Sequence, residues 1–194
     1  MKIAAFDFDG TITTKDTFVE FICFAKGKFA FGSGFALFSP LLIAYKLRLY
    51  PNWKVKQQIF SFFFKGMKLA DFDKLCADFT ARNFPDLLNL KSLKAIEEHL
   101  QNGAQLVVIS ASPENWVRPF AEKLGISNVL CTELEINNEQ RLTGKFASKN
   151  CYGQEKVNRL LQQYPNRNEY YLVAYGDSRG DSELLAFADE KYLF

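Results

Sequence analysis

The sequence predicts an α/β fold: a parallel sheet covered by helices on both faces, opened after its first strand by a long helical insertion. Three observations carry this prediction. Short apolar runs alternate with helical patterns along most of the 194 residues. Those runs end in acidic or hydroxyl side chains, which suits strands that share one ligand-binding edge. The alternation is interrupted once, between Thr14 and about Pro85, where no sheet-like run occurs and the pattern is aromatic-rich and helical.

Taken in order, Lys2 to Phe8 is a short apolar run ending in acid, as expected of a buried strand. After the insertion, Ser92 to Gln101 reads as a helix closed by Asn102-Gly103. Gln105 to Ser110 (QLVVIS) is the second strand, followed by a helix from Pro113 to Leu124 that stops at Gly125. Asn128 to Ile136 (NVLCTELEI) reads as one strand, and Ile136 to Phe146 as a hairpin turning near Asn137-Asn138. A helix over Gln154 to Gln163, a strand over Tyr170 to Asp177, a helix over Asp181 to Ala188 and a last edge strand, KYLF, complete the chain.

Composition narrows the function. Apolar content of 48% and charged content of 24% are those of an ordinary globular protein. A net charge of +2 argues against nucleic acid as a partner. The distribution is uneven: Phe21 to Ala70 holds no Asp or Glu but contains Lys26, Lys28, Lys46, Arg48, Lys54, Lys56, Lys65 and Lys68. The same block holds 13 of the chain's 30 aromatics, and it is expected to form a unit of its own. Cys23, Cys76, Cys131 and Cys151 are far apart with no C-x-x-C pair, so free thiols are expected in place of a disulfide frame or a zinc site. MKIAAFDFDG turns acidic at Asp7, before any apolar stretch of signal-peptide length. The expected location is the cytoplasm.

Three strands end in reactive groups. The first ends in Asp7-Phe8-Asp9-Gly10-Thr11, the second in Ser110-Ala111-Ser112, and the third in Gly176-Asp177-Ser178-Arg179-Gly180-Asp181, while Lys156 opens a helix between the last two. Asp7 and Asp9 would share a side of a regular strand, and Gly10 permits a sharp turn. Four converging carboxylates need a counter-charge, and a hard divalent cation with oxygen ligands, Mg²⁺, is the usual one beside phosphate. A carboxylate nucleophile, a metal, a lysine and a hydroxyl together suit phosphoryl transfer through an aspartyl-phosphate.

These motifs resemble the haloacid-dehalogenase superfamily, whose four signatures appear in order: DFDGT (Asp7 to Thr11), ISAS with Ser110, GQEK with Lys156, and GDSRGD (Asp177 to Asp181). The resemblance implies a Rossmann-like core over residues 1–13 and 87–194, with a helical first-position (C1) cap over 14–86. It implies that Asp7 is the nucleophile and Asp9 the general acid and base. Ser110, with backbone amides near Phe8 and Ala111, would bind phosphoryl oxygens beside the Gly10-Thr11 turn, and Lys156 would neutralise charge. Asp7, Asp177 and the Asp9 carbonyl would hold Mg²⁺, with Asp181 in or next to that shell. An acid at position 9 favours phosphate-ester hydrolysis over dehalogenation or ion pumping.

Finer wording (SASPENWVRPFAEKLGI, NCYGQEKVNRL, GDSRGDSELLAFA) is similar to subfamily IB, the phosphoserine-phosphatase-like branch, and most similar to its phosphatidylglycerophosphatase C type group. Phosphoserine phosphatases usually carry Glu nine residues after the nucleophile to hold the substrate ammonium; here that place is Asp16, one carbon shorter. The resemblance thus implies a phosphomonoester on a lipid, such as phosphatidylglycerophosphate, with phosphoserine or another small phosphate ester as the alternative. A phospho-receiver signalling domain uses similar groups. It carries its phosphorylated Asp on a middle strand, however, and lacks a seventy-residue insertion.

Other residues have plainer readings. Ser33 and Ser110 lack a base, since the single histidine, His99, sits near the end of a helix at an expected surface or boundary position. Cys151 reads as a buried thiol. Asp181 could simply cap its helix. Phe29 to Tyr45 is uncharged, yet as a helix it would span about 25 Å against a hydrocarbon core of roughly 30 Å, and Gly32, Ser33, Gly34 and Pro40 break it up. Phe31, Phe35, Phe38, Leu42, Tyr45 and Leu49 recur on one helical face. Two expectations follow for residues 29–50: packing against cap helices or a second copy, or peripheral contact with the inner membrane through an apolar face and basic residues. Oligomeric state is left open.

Overall fold

The computed structural model describes residues 1–47 and 49–194; Arg48, one of the basic residues singled out above, lies outside the described residues. A five-stranded sheet forms the centre: β1 (Lys2–Phe6), β2 (Gln105–Pro113), β3 (Asn128–Thr132), β6 (Tyr171–Gly176) and β7 (Glu190–Leu193), in the order β3-β2-β1-β6-β7. Every pairing is parallel; Ala5 of β1, for example, lies opposite Val107 on one side and Ala174 on the other. Beyond the exposed Lys2, β1 can be wholly apolar because both of its faces are covered: Ile3, Ala4, Ala5 and Phe6 are completely buried.

The period of two divides these strands between two interiors. Ile3, Ala5, Val107, Ile109, Leu172 and Ala174 face α7 (Gln154–Gln163) and α8 (Ser182–Phe187), through Val157, Leu160 and Leu184. Ala4, Phe6, Val108 and Val173 face α5 (Leu90–Gln101) and α6 (Glu114–Lys123). Asn128 to Ile136 is not one strand. β3 stops at Thr132, exposed Glu133 breaks the run, and β4 (Leu134–Ile136) pairs antiparallel with β5 (Leu142–Phe146) as a separate hairpin. The hairpin docks on the insertion, where Phe146 N–H donates to Gln57 Oε1 at 3.0 Å.

Between β1 and α5 the insertion folds as four helices: α1 (Thr17–Leu37), α2 (Ser39–Lys46), α3 (Asn52–Phe64) and α4 (Leu69–Leu87). The chain leaves and rejoins the sheet side by side, with Thr14 N–H on the Leu87 carbonyl at 2.7 Å and Asn89 N–H on the Ile12 carbonyl at 2.9 Å. The insertion does not have an apolar interior to itself. Phe21 of α1 stacks on Trp116 of α6 at 4.7 Å and meets Phe72 and Phe79 of α4 edge-on, so the aromatic cluster runs continuously onto the sheet. The apolar stretch around Phe29 is not one helix either. Pro40, which lacks an N–H, sits in the first turn of α2, and α1 and α2 meet at 61°.

His99 is buried, where a surface or boundary position was expected. Its Nε2 shares a 2.9 Å hydrogen bond with the Tyr175 hydroxyl, and its ring stands edge-on to Phe6 and Tyr175. Burial, then the charge of Lys2, pulls its pKa below the ordinary 6.5, with Glu98 and Glu190 opposing. The unfolded chain therefore takes up this proton first, and stability is lost as pH falls through 6.5. The melting temperature is expected to drop less in His99→Gln than in the parent between about pH 7.5 and about 5.5. Equal drops in thermal melts at the two pH values would refute this.

Candidate active site

The carboxyl edge of the sheet gathers the expected groups. Asp7 follows β1 directly, its N–H on the Tyr175 carbonyl at 2.9 Å, and is almost fully buried. The chain then turns through Phe8–Ile12, where Gly10 takes φ +82°; a Cβ there would overlap the Asp177 carboxylate, so both conformation and space require glycine. Lys156 lies in the first turn of α7 with its side chain buried, its Nζ 2.5 Å from Asp7 Oδ1 and 2.5 Å from Asp181 Oδ1. Asp181 stands at the N-cap position of α8, but its side chain makes no capping bond to that helix and instead completes a capping box with Ser178 on the short turn Arg179–Asp181. Its second oxygen accepts from Ser178 N–H at 3.1 Å and from the Ser178 hydroxyl at 2.8 Å.

Asp9 faces the insertion. Oδ1 accepts from Thr17 N–H at 2.7 Å and from the Thr17 hydroxyl at 2.5 Å, while Oδ2 accepts from the Ser112 hydroxyl at 2.5 Å. Trp116 Nε1 donates to the same Thr17 hydroxyl at 3.0 Å. β2 and β3 change register between Ser110 and Pro113, so that Ala111 reaches the cavity while Ser112 reaches Asp9. Ser110 is fully buried beneath that floor, its hydroxyl accepting from Ser112 N–H at 3.0 Å.

Phe8 turns its ring into the core against Phe120, leaving only its backbone near the edge. Thr11 is also buried. Its hydroxyl has no partner among the described residues, and its carbonyl accepts from Ser92 Oγ at 2.6 Å. Asp16 lines the cavity and caps α1, accepting from Phe18 N–H at 2.9 Å. Cys151 is buried as expected, and burial pushes its thiol up to about 11.

The charges explain what this edge can hold. Burial pushes the Asp7 carboxyl up to about 7; Lys156 opposes the rise, and Asp181 and Asp9 add to it. Burial alone would pull the Lys156 ammonium down, but Asp7 and Asp181 outweigh it and hold it above the ordinary lysine value. Burial and then the charge of Asp16 raise Asp9, and burial and then Asp181 raise Asp177. One lysine thus faces several acids. Asp7, Asp177 and Asp181 each offer a carboxylate oxygen within 4.8 Å of the others, and these hard donors fit Mg²⁺.

A cavity of about 580 Å³ opens over the acids. Its floor includes Asp7, Asp9, Lys156 and Asp177, and its opposite wall comes from the insertion: Phe18 and Phe35, Leu42 and Tyr45, Val55 and Ile59. Lys15, Lys56 and Arg179 place basic groups around it. The part played by Thr17 and Ser112 as partners of Asp9, and by Lys15, Lys56 and Arg179 around the cavity, escaped the sequence reading. Nothing in the order of residues pairs position 9 with 17 or 112.

The arrangement is that of a known class. The chain belongs to the haloacid dehalogenase-like hydrolases, whose family model matches residues 4–186. Over 189 residues it is 35% identical to Protein CicA of Caulobacter vibrioides, covering 97% of this chain and 84% of that protein. A phosphoserine phosphatase of Wolinella succinogenes is 24% identical over 200 residues, covering 100% of this chain and 87% of the relative. A protein of unknown function from Bordetella pertussis Tohama I has the same fold, with a TM-score of 0.87 at 16% identity over 99% of this chain and 89% of its own. Within the family this chain is a phosphatase, phosphoserine-phosphatase-like in its relatives.

Proposed function

We propose that the protein hydrolyses a phosphomonoester through an aspartyl-phosphate on Asp7, and that helices α1–α4 act as a cap that selects an ester with an apolar body. The observation that carries the reading is the cavity itself, with its acidic floor and largely apolar wall.

Asp7 is positioned as the nucleophile because Lys156 fixes its carboxylate at the end of β1. Attack on phosphorus forms the Asp7–phosphate bond as the ester oxygen leaves. Asp9 gives that oxygen a proton, then takes one from the water that cleaves the acyl phosphate. Burial and then the charge of Asp16 raise its pKa, the direction a proton donor needs. Thr17 and Ser112 hold it in place by three hydrogen bonds. Lys156 offsets charge on Asp7 and the phosphoryl group, and backbone amides at Phe8 and Ala111 would bind its oxygens. Asp7, Asp177, Asp181 and the Asp9 carbonyl would hold Mg²⁺, which supplies positive charge against the transferred group.

The substrate reading follows from the wall. Phe35, Leu42 and Tyr45 would meet an acyl or alkyl portion, whereas Asp16 in the same lining commits one carboxylate oxygen to the cap of α1. A lipid phosphate such as phosphatidylglycerophosphate is the expected substrate. Phosphate release with Mg²⁺ should favour phosphatidylglycerophosphate or phosphatidic acid over phosphoserine and small sugar phosphates. Strong phosphoserine turnover with none on the lipids would overturn the substrate and leave the chemistry standing.

A further inference from the structure

The side of the α1–α2 elbow turned away from the cavity has no partner among the described residues. Phe29 is 91% exposed, Leu37 63%, Ile43 59% and Leu47 64%, and Ala36 and Pro40 between them are also exposed. Within each helix, spacings of three and four residues set these on one side, with Gly32, Ser33 and Ser39 exposed among them. α2 has no buried residue at all. Such a surface exceeds the scattered apolar exposure of an ordinary protein.

Charge indicates what covers it. Lys28 and Lys46 flank the surface, and no acidic residue occurs from Phe21 to Ala70. A second copy would bring the same basic residues against themselves, whereas an anionic bilayer offers both an apolar interior and complementary headgroups. No single helix among the described residues is long and apolar enough to cross a membrane, and the 61° bend keeps α1 and α2 from forming one straight span. The same two helices contribute Phe35, Leu42 and Tyr45 to the cavity wall, so one face meets the cavity and the other meets solvent.

We propose that the α1–α2 elbow is an interfacial anchor: Phe29, Leu37, Ile43 and Leu47 enter an anionic bilayer, to a depth of roughly 5–10 Å. Lys28 and Lys46 lie at its headgroups, and the cavity is thereby held beside the membrane surface. The proposal depends on the substrate reading above only for its last step, delivery of a membrane-borne phosphate ester to Asp7.

The test compares the parent with Leu37→Glu/Ile43→Glu, two exposed positions outside the cavity. Co-sedimentation is measured with vesicles of phosphatidylglycerol and phosphatidylcholine, and of phosphatidylcholine alone. The parent is expected to bind the anionic vesicles well and the neutral ones poorly. Two buried carboxylates should weaken that binding about tenfold or more. Turnover of water-soluble p-nitrophenyl phosphate, which reports the fold and the core chemistry, should not change. Equal binding by both proteins, or no binding by the parent, would overturn the anchor. So would a parent dimer in light scattering that the double variant converts to monomer, since the face would then belong to a second copy. Vesicle binding that the variant loses, with no hydrolysis of lipid phosphates, supports the anchor and refutes the substrate reading alone.

Discussion

Asp7→Asn is expected to reduce phosphate release to background on every substrate, with the melting temperature almost unchanged. The two parts have separate causes. The amide is nearly the same shape as the carboxylate but lacks the charge and nucleophilicity needed to form the bond to phosphorus. The fold tolerates a neutral group there because burial already pushes Asp7 up to about 7, so the protonated form is populated near neutrality. EDTA is expected to stop the parent as well, and added Mg²⁺ to restore it, because three carboxylates beside one lysine bind phosphate poorly without a cation. Single-turnover experiments with ³²P-labelled ester should leave label on acid-quenched parent protein and none on Asp7→Asn. Turnover retained by the variant, or by the parent in EDTA, would remove Asp7 or the metal from the chemistry.

The acidic edge was legible in the sequence for a physical reason. In a parallel sheet all strands end on the same side, so motifs closing separate apolar runs must meet, however far apart they lie in the chain. Asp7, Lys156 and Asp181, spread over most of the chain, are joined by two 2.5 Å ion pairs on this principle alone. What escaped was set by long-range packing with no local signature. His99 has the neighbours of a surface helix residue, and only its contact with Tyr175 across the sheet makes it a buried group. The acid-free block looked like a unit apart because its composition changes sharply, yet Phe21 closes on Trp116 and joins it to the sheet. Asn128 to Ile136 has uniform strand propensity, and the break at Glu133 appears only because two different partners compete for it.

The uncharged stretch shows both limits. Of the face its periodicity drew on one straight helix, Phe31, Phe35, Phe38 and Leu42 pack against the core and Tyr45 lines the cavity, while Leu49 lies beyond α2 and is exposed. The bend at Pro40 sends Phe35, Leu42 and Tyr45 toward the acids while Leu37 and Ile43 stay outside. Two roles are therefore divided between the two sides of one elbow. A substitution on the outer side can test membrane contact without touching the floor of the site.

Lys156→Met should have an effect as large as Asp7→Asn on turnover, but through the fold as well. Met keeps the volume of the buried stem and removes the one cation between Asp7 and Asp181. Breaking a buried ion pair by deleting one partner typically costs about 3–5 kcal/mol. The lower end, about 3 kcal/mol, is expected because Asp7, already raised to about 7, can take up a proton in place of the lost charge. At a rate of about 2–4 °C per kcal/mol for a chain of this size, the melting temperature falls by roughly 6–12 °C. Mg²⁺ should raise it more in the variant than in the parent, since the cation then replaces part of the missing charge. Adding Asp181→Asn should recover some stability, because one of the two acids left unpaired is gone, yet it should return no turnover. A Lys156→Met protein that melts and turns over like the parent would show that the lysine neither holds Asp7 nor offsets its charge.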